Sequence, residues 1–126
     1  MPFQLRLAPA LFAFLVLACG FLDPSETLEV RVMNGSEVLL DEGVLYLPDD
    51  SIVFSELQPG QSTPYQEVAW AYGIATVQVV VAQDTARLQV IDYVGETRLS
   101  PGRYTYVLSF ADNMTTHLAL ELVEDQ

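Results

Sequence analysis

An all-β fold, an antiparallel β-sandwich of about seven strands preceded by a helical apolar leader, is predicted by three features of the sequence. Apolar and polar residues alternate with period two in several segments, Pro-Gly and Asn-Gly dipeptides separate them, and no amphipathic helix pattern occurs beyond the first 22 residues. At 126 residues the chain has room for one domain, and its 51% hydrophobic content is far from a disordered composition.

Residues 27–33 (Thr-Leu-Glu-Val-Arg-Val-Met) alternate apolar and polar with period two and stop at Asn34-Gly35, which predicts a half-buried first strand. Residues 44–47 and 52–54 are short β-rich runs on either side of a Pro48-Asp49-Asp50 turn. The longest apolar stretch, residues 70–82, carries Val77, Val79, Val80 and Val81 and reads as a central strand. A Gln83-Asp84-Thr85 turn then leads to a hairpin partner over residues 87–94. Residues 103–110 place Tyr104, Tyr106, Leu108 and Phe110 on one face, and residues 117–123 do the same with Leu118, Leu120 and Leu122. Leu57-Gln58-Pro59-Gly60-Gln61-Ser62-Thr63 and Leu99-Ser100-Pro101-Gly102-Arg103-Tyr104-Thr105 share Leu-x-Pro-Gly-x-x-Thr, which predicts two equivalent turns leading into strands. Two copies are too few for a repeat array.

The charge is lopsided, with 17 acidic residues against five arginines, no lysine and a formal net of −12. Such a surface has no means of neutralising a phosphate backbone, so nucleic acid is excluded as a partner.

The first residues are built differently. Arg6 precedes an apolar run over residues 7–18, interrupted only by Pro9 and ending Leu15-Val16-Leu17-Ala18-Cys19. A basic start, about a dozen apolar residues and small residues at the end predict a secretory signal peptide, too short to span a bilayer. The organisation expected is therefore residues 1–18 as signal peptide, 19–26 as a tether held extended by Pro24, and 27–126 as the β-sandwich domain.

Val16-Leu17-Ala18-Cys19 resembles the lipobox of bacterial lipoproteins, and Cys19 is the only cysteine. The resemblance implies a diacylglyceryl group on the Cys19 thiol, cleavage before Cys19 and acylation of the new amine, with palmitate among the acyl chains. Ordinary signal-peptidase cleavage, leaving a free thiol, is the competing reading. Lipidation is preferred because one cysteine makes no intrachain disulfide, and a spare thiol is a liability in an oxidising compartment. Gly20 stands where an aspartate would imply inner-membrane retention, so the resemblance favours the outer membrane, facing the periplasm, in a Gram-negative organism. Leu-x-Pro-Gly-x-Tyr-Thr before a valine-containing strand resembles extracytoplasmic immunoglobulin-like and transthyretin-like sandwiches. Together with the lipobox, the mature chain resembles small uncharacterised envelope lipoproteins holding one such domain. The partner implied is the membrane itself, through the lipid on Cys19, with a protein or glycan partner left open.

Catalytic chemistry has little raw material. His117 is the only histidine, no serine lies in a Gly-x-Ser-x-Gly elbow, and zinc wants about four nitrogen or sulfur ligands. The expectation is a non-enzymatic protein with no catalytic residue, metal or cofactor, His117 being a strand-end side chain, and a hydrolase ranks last among the alternatives, behind a carbohydrate-binding module. The acid pairs Asp41-Glu42, Asp49-Asp50 and Glu124-Asp125 lack calcium-loop spacing and read as solvated turn or tail charge, with weak calcium binding as the alternative. Asp92 lies within an apolar segment and, if it faces inward, needs a partner such as Arg31, Arg98 or a tyrosine hydroxyl. Asn34-Gly35-Ser36 and Asn113-Met114-Thr115 match the N-glycosylation triplet, which the resemblance to bacterial lipoproteins implies is a coincidence.

Trp70 and Tyr72 are the candidate binding residues. Two positions apart on a strand, they share a face and could stack on a sugar, as in a carbohydrate-binding module. Val68-Ala69 before them and the valine-rich run after them favour a core position for Trp70 over a platform. A core tryptophan implies a loss of about 3 to 5 kcal/mol for Trp70→Ala.

Overall fold

The computed structural model of the protein describes residues 27–111 and 117–125. The leader, Cys19, the tether and the Asn113 triplet lie outside the described residues. The described chain is all-β, with eight strands in two four-stranded sheets packed face to face. These are β1 (Leu28–Asn34), β2 (Leu40–Tyr46), β3 (Ser51–Leu57), β4 (Gln66–Val68), β5 (Thr76–Val81), β6 (Asp84–Leu88), β7 (Gly102–Phe110) and β8 (Leu118–Asp125). One sheet has the order β4-β1-β7-β8 and the other β3-β2-β5-β6.

The period-two patterns become the two inner faces. Leu28, Val30 and Val32 of β1, Tyr104, Tyr106 and Leu108 of β7, and Leu118 of β8 are buried against Leu45, Ile52, Phe54, Val77, Val79, Val81 and Ala86 of the opposite sheet. Burying a large aliphatic or aromatic side chain contributes about 1.5 to 3 kcal/mol, enough in sum to hold a domain of this size.

Pairing is antiparallel with one exception, a parallel ladder running from Leu28↔Gly102 to Asn34↔Leu108 between β1 and β7. Its consequence is positional: the first described residues, the loop before β7 and the end of β8 meet at one end of the sandwich. The turn between β2 and β3, the crossing segment 69–75 between β4 and β5, and the loop 89–101 between β6 and β7 lie at that same end.

Several expected elements shift. The segment 70–82 is a strand only from Thr76, because residues 69–75 must carry the chain from one sheet to the other. The hairpin turn between β5 and β6 is Ala82-Gln83, with φ of 49° and 75°, instead of Gln83-Asp84-Thr85. Positive φ at both central residues gives the twist that suits a two-residue hairpin. Its partner strand ends at Leu88, and residues 89–94 are loop. The two Leu-x-Pro-Gly motifs are not equivalent. Gly60, φ 81°, closes a turn in which the Gln61 N–H donates to the Gln58 carbonyl, whereas Gly102 begins β7 directly. Asn34-Gly35 joins β1 to a strand of the other sheet, and no sequence pattern marks the short β4.

Candidate functional site

Residues 69–75 leave β4 with Ala71 and Ala75 turned into the core, both buried. That places the large neighbours Trp70 and Tyr72 at the surface, each half-buried. Backbone bonds hold the segment down: the Leu99 N–H donates to the Ala71 carbonyl at 2.9 Å, Tyr72 bridges Arg98, and the buried Tyr106 hydroxyl donates to the Tyr72 carbonyl. Burial, and secondarily the neighbouring Tyr93, raises the Tyr106 phenol well above its ordinary pKa.

Around this segment three loops lock together through their rings. Trp70 meets Tyr72 edge to face at 5.3 Å between centroids and 80° between planes, and Tyr72 stacks on Tyr93 at 4.8 Å and 23°. The Arg98 guanidinium lies 4.1 Å from the centroid of the Trp70 ring, and Trp70 Nε1–H donates to Asp49 Oδ2 at 2.6 Å. Ring pairs of this kind are worth about 0.5 to 1.5 kcal/mol each, and an exposed cation over a ring about 0.5 to 1 kcal/mol.

Trp70 is therefore not a core residue, and the core position favoured on sequence is corrected. The valine-rich stretch that suggested it belongs to β5, whereas Trp70 lies on the crossing segment before it. Tyr72 does lie beside Trp70, as expected from the spacing. The array is nonetheless unlike an open platform, because Arg98 covers one face of Trp70 and Tyr93 covers one face of Tyr72.

Beyond the rings the loop projects outward. Ile91 is 94% exposed and Val94 87% exposed, flanking Tyr93. Asp92 is exposed and accepts the Val94 N–H at Oδ1, 2.9 Å, so it shapes the loop and needs no buried partner. The Glu96 N–H donates to the Tyr93 carbonyl, closing a turn whose third residue, Gly95, has φ of 88°.

Arg31, the other partner considered for Asp92, serves a polar cluster on the outer face of the first sheet. Its Nε–H donates to Thr105 Oγ1 at 2.9 Å, and its guanidinium lies 4.5 Å from the centroid of Tyr65. The Tyr65 and Thr105 hydroxyls both donate to Asp125 Oδ2, at 2.8 and 2.6 Å. Desolvation, then the bond to the Asp125 carboxylate, raises the Tyr65 phenol. Arg103, 5.0 Å from the same ring, also reaches Glu29 at 3.3 Å.

Only one of the three acid pairs lies in a turn. Asp41-Glu42 is inside β2, where Asp41 accepts the Ala82 N–H, and Glu124-Asp125 falls in β8. Among the described residues no three histidine, cysteine or acidic side chains come together as metal ligands. His117 is exposed immediately before β8, beyond the Phe110 end of β7 and thus at the opposite end from the aromatic array. Asn34 of the first glycosylation triplet is fully buried. An open hollow of about 460 Å³ on the outer face of the second sheet, lined by Val44, Val53, Gln78 and Val80 among others, carries no titratable side chain except Glu42.

The sequence reading missed Tyr93, Asp49 and the outward Ile91 and Val94. Gly95 was the available signal that residues 91–96 turn instead of continuing a strand. No protein-family model matches the chain, and no curated protein matches it.

Proposed function

We propose that the protein is a lipid-anchored β-sandwich of the bacterial cell envelope, attached through Cys19 and serving a non-enzymatic binding or structural role. The observation that carries this reading is Val16-Leu17-Ala18-Cys19 at the end of an apolar run that follows Arg6, with Cys19 the sole cysteine of the chain. Each acyl methylene buried in a bilayer contributes about 0.8 kcal/mol, and two or more chains hold stably where one does not. Cleavage before Cys19 also removes Arg6, leaving four arginines against 17 acids, so attraction to anionic lipid is no substitute for the anchor. No helix among the described residues is long and apolar enough to cross a membrane.

The second reading, a carbohydrate-binding module using Trp70 and Tyr72, draws on their half-exposed rings. It has less support, because flat stacking on a sugar needs open ring faces and Arg98 and Tyr93 already occupy one face each.

Expression of the full chain with its leader in a bacterium, followed by mass analysis of the processed N-terminus, tests the proposal. The expected product begins at acylated Cys19, and Cys19→Ser accumulates as an unprocessed precursor that incorporates no palmitate. Normal maturation and release of Cys19→Ser would overturn it.

A further inference from the structure

We infer that the loop tip formed by Ile91, Tyr93 and Val94 rests in the headgroup region of the bilayer, making this end of the sandwich the membrane-facing one. The inference rests on the proposed anchor at Cys19 and adds an orientation and a second, protein-borne contact with lipid.

Two observations meet here. The first is the tip itself. Ile91 and Val94 are almost wholly exposed, three positions apart on the 89–101 loop. Isolated exposed apolar residues are ordinary, but these two flank a tyrosine that is stacked back onto Tyr72, which in turn meets Trp70. The loop is also braced by the Asp92 to Val94 bond, the 93–96 turn and the Tyr72–Arg98 bridge. Little ordering of the backbone then remains to be done on contact with lipid. Aliphatic side chains at a tip with tryptophan and tyrosine behind them match the preference of aromatic rings for the level where headgroups meet acyl chains.

The second observation is where the chain comes in. The Gly102 N–H donates to the Thr27 carbonyl at 2.9 Å, and Leu28 pairs with both Gly102 and Val68. The loop bearing Ile91 and Val94 runs directly into Gly102, so the tip and the tether share one end of the molecule. Cys19 precedes Thr27 by eight positions, a stretch that spans at most about 29 Å and averages about 16 Å if flexible. The opposite end is farther from the anchor by the length of β7, nine residues or about 30 Å.

Charge decides which lipid suits the tip. Asp92 and Glu96 lie on the same loop and Asp49 accepts from Trp70 behind it, while the cations at this end are engaged locally, Arg98 over Trp70 and Arg103 over Tyr65 and against Glu29. Contact is therefore expected with zwitterionic headgroups and is opposed by anionic ones.

A tryptophan moved to the tip reads this directly. The full chain, expressed with its leader and purified from the envelope fraction, carries Ile91→Trp in a Trp70→Phe background and is reconstituted into phosphatidylcholine vesicles with brominated acyl chains. Val94→Trp repeats the measurement from the other side chain, and Glu37→Trp, on the exposed bend after β1 at the opposite end, is the reference. Circular dichroism checks that each variant keeps the wild-type spectrum. Relative to unbrominated vesicles, emission from the tip positions is expected to fall about twofold or more, with a blue shift, while the Glu37→Trp signal stays unchanged. Replacing part of the phosphatidylcholine with phosphatidylglycerol is expected to weaken the quenching. The mass of the N-terminal peptide reports separately whether Cys19 is acylated. If it is not, the thiol is coupled to maleimide-bearing lipid, so the same end meets the bilayer and failure of the anchor reading stays distinct from failure of this one. Tip tryptophans quenched no more than the Glu37→Trp reference on anchored protein would overturn the inference.

Discussion

Asn34 shows how much one side chain can hold at a strand end. Its amide donates to the carbonyls of Val38 and Leu57, and its Oδ1 accepts from the Ser36 N–H and hydroxyl, all within a fully buried position. A buried polar group left without its partner costs about 1 to 3 kcal/mol, and Asn34→Ala strands several at once. Asn34→Ala is therefore expected to lower stability by about 3 kcal/mol or more in urea unfolding followed by circular dichroism. Asn34→Asp is expected to fare little better, since a carboxylate has no protons for the two carbonyls. The same engagement leaves the Asn34 amide inaccessible to glycosylation in the folded domain. Tyr106 gives a pH signature. Its phenol is raised in the folded state above the ordinary 10.0 by burial, so its neutral form favours folding. For a phenol so shifted, the contribution is whole below pH 10 and is lost as pH rises from there toward the folded value. Stability is expected to fall on alkaline titration, and Tyr106→Phe is expected to cost about 1 kcal/mol near neutrality while making that fall shallower. Urea midpoints between pH 8 and about 11 check both statements.

In the second sheet, β2 and β3 meet closely at a glycine. Gly43 pairs with Phe54, and a Cβ on Gly43 would overlap the Phe54 ring. The small residue lets the ring lie against the strand backbone, which is how a phenylalanine is accommodated between two sheets at that point. Gly43→Ala is expected to cost about 1 to 3 kcal/mol through overpacking, despite the better β-propensity of alanine. Phe54→Leu shortens the ring and is expected to absorb much of the penalty, so the double variant should be more stable than the sum of the single changes predicts. Additivity within about 0.5 kcal/mol in that cycle would mean the two residues are not coupled. Further along β3, Glu56 has φ of 48° and shifts the alternation by one position, so burial passes from Phe54 to Leu57. Period two is legible in a sequence, but a shift of this kind is set by the neighbouring strand and has no composition signal of its own.

Across the whole molecule, each arginine among the described residues lies over an aromatic ring: Arg31 and Arg103 over Tyr65, Arg87 over Tyr46, and Arg98 over Trp70. The positive charge is thus committed locally, and the net −12 is left as self-repulsion over the surface. The melting temperature is expected to rise by a few degrees as salt increases from about 0.01 to 0.15 M, where screening lengths fall from about 30 to 8 Å. A fall would show that the arginine contacts outweigh the repulsion. The β-rich circular-dichroism spectrum is expected to be the same with and without reductant, since one cysteine makes no intrachain bridge. The β class, the inner faces of β1, β7 and β8 and the acidic surface are legible in the residues alone, because alternation and composition are local properties that survive without knowing any partner. That β1 runs parallel beside β7, that Trp70 sits on a crossing segment outside the core, and that Ile91 and Val94 are left exposed become visible once the chain is folded. Each of those depends on which distant segment a residue meets, and a short apolar run reads the same whether it will be covered by another strand or left at a loop tip.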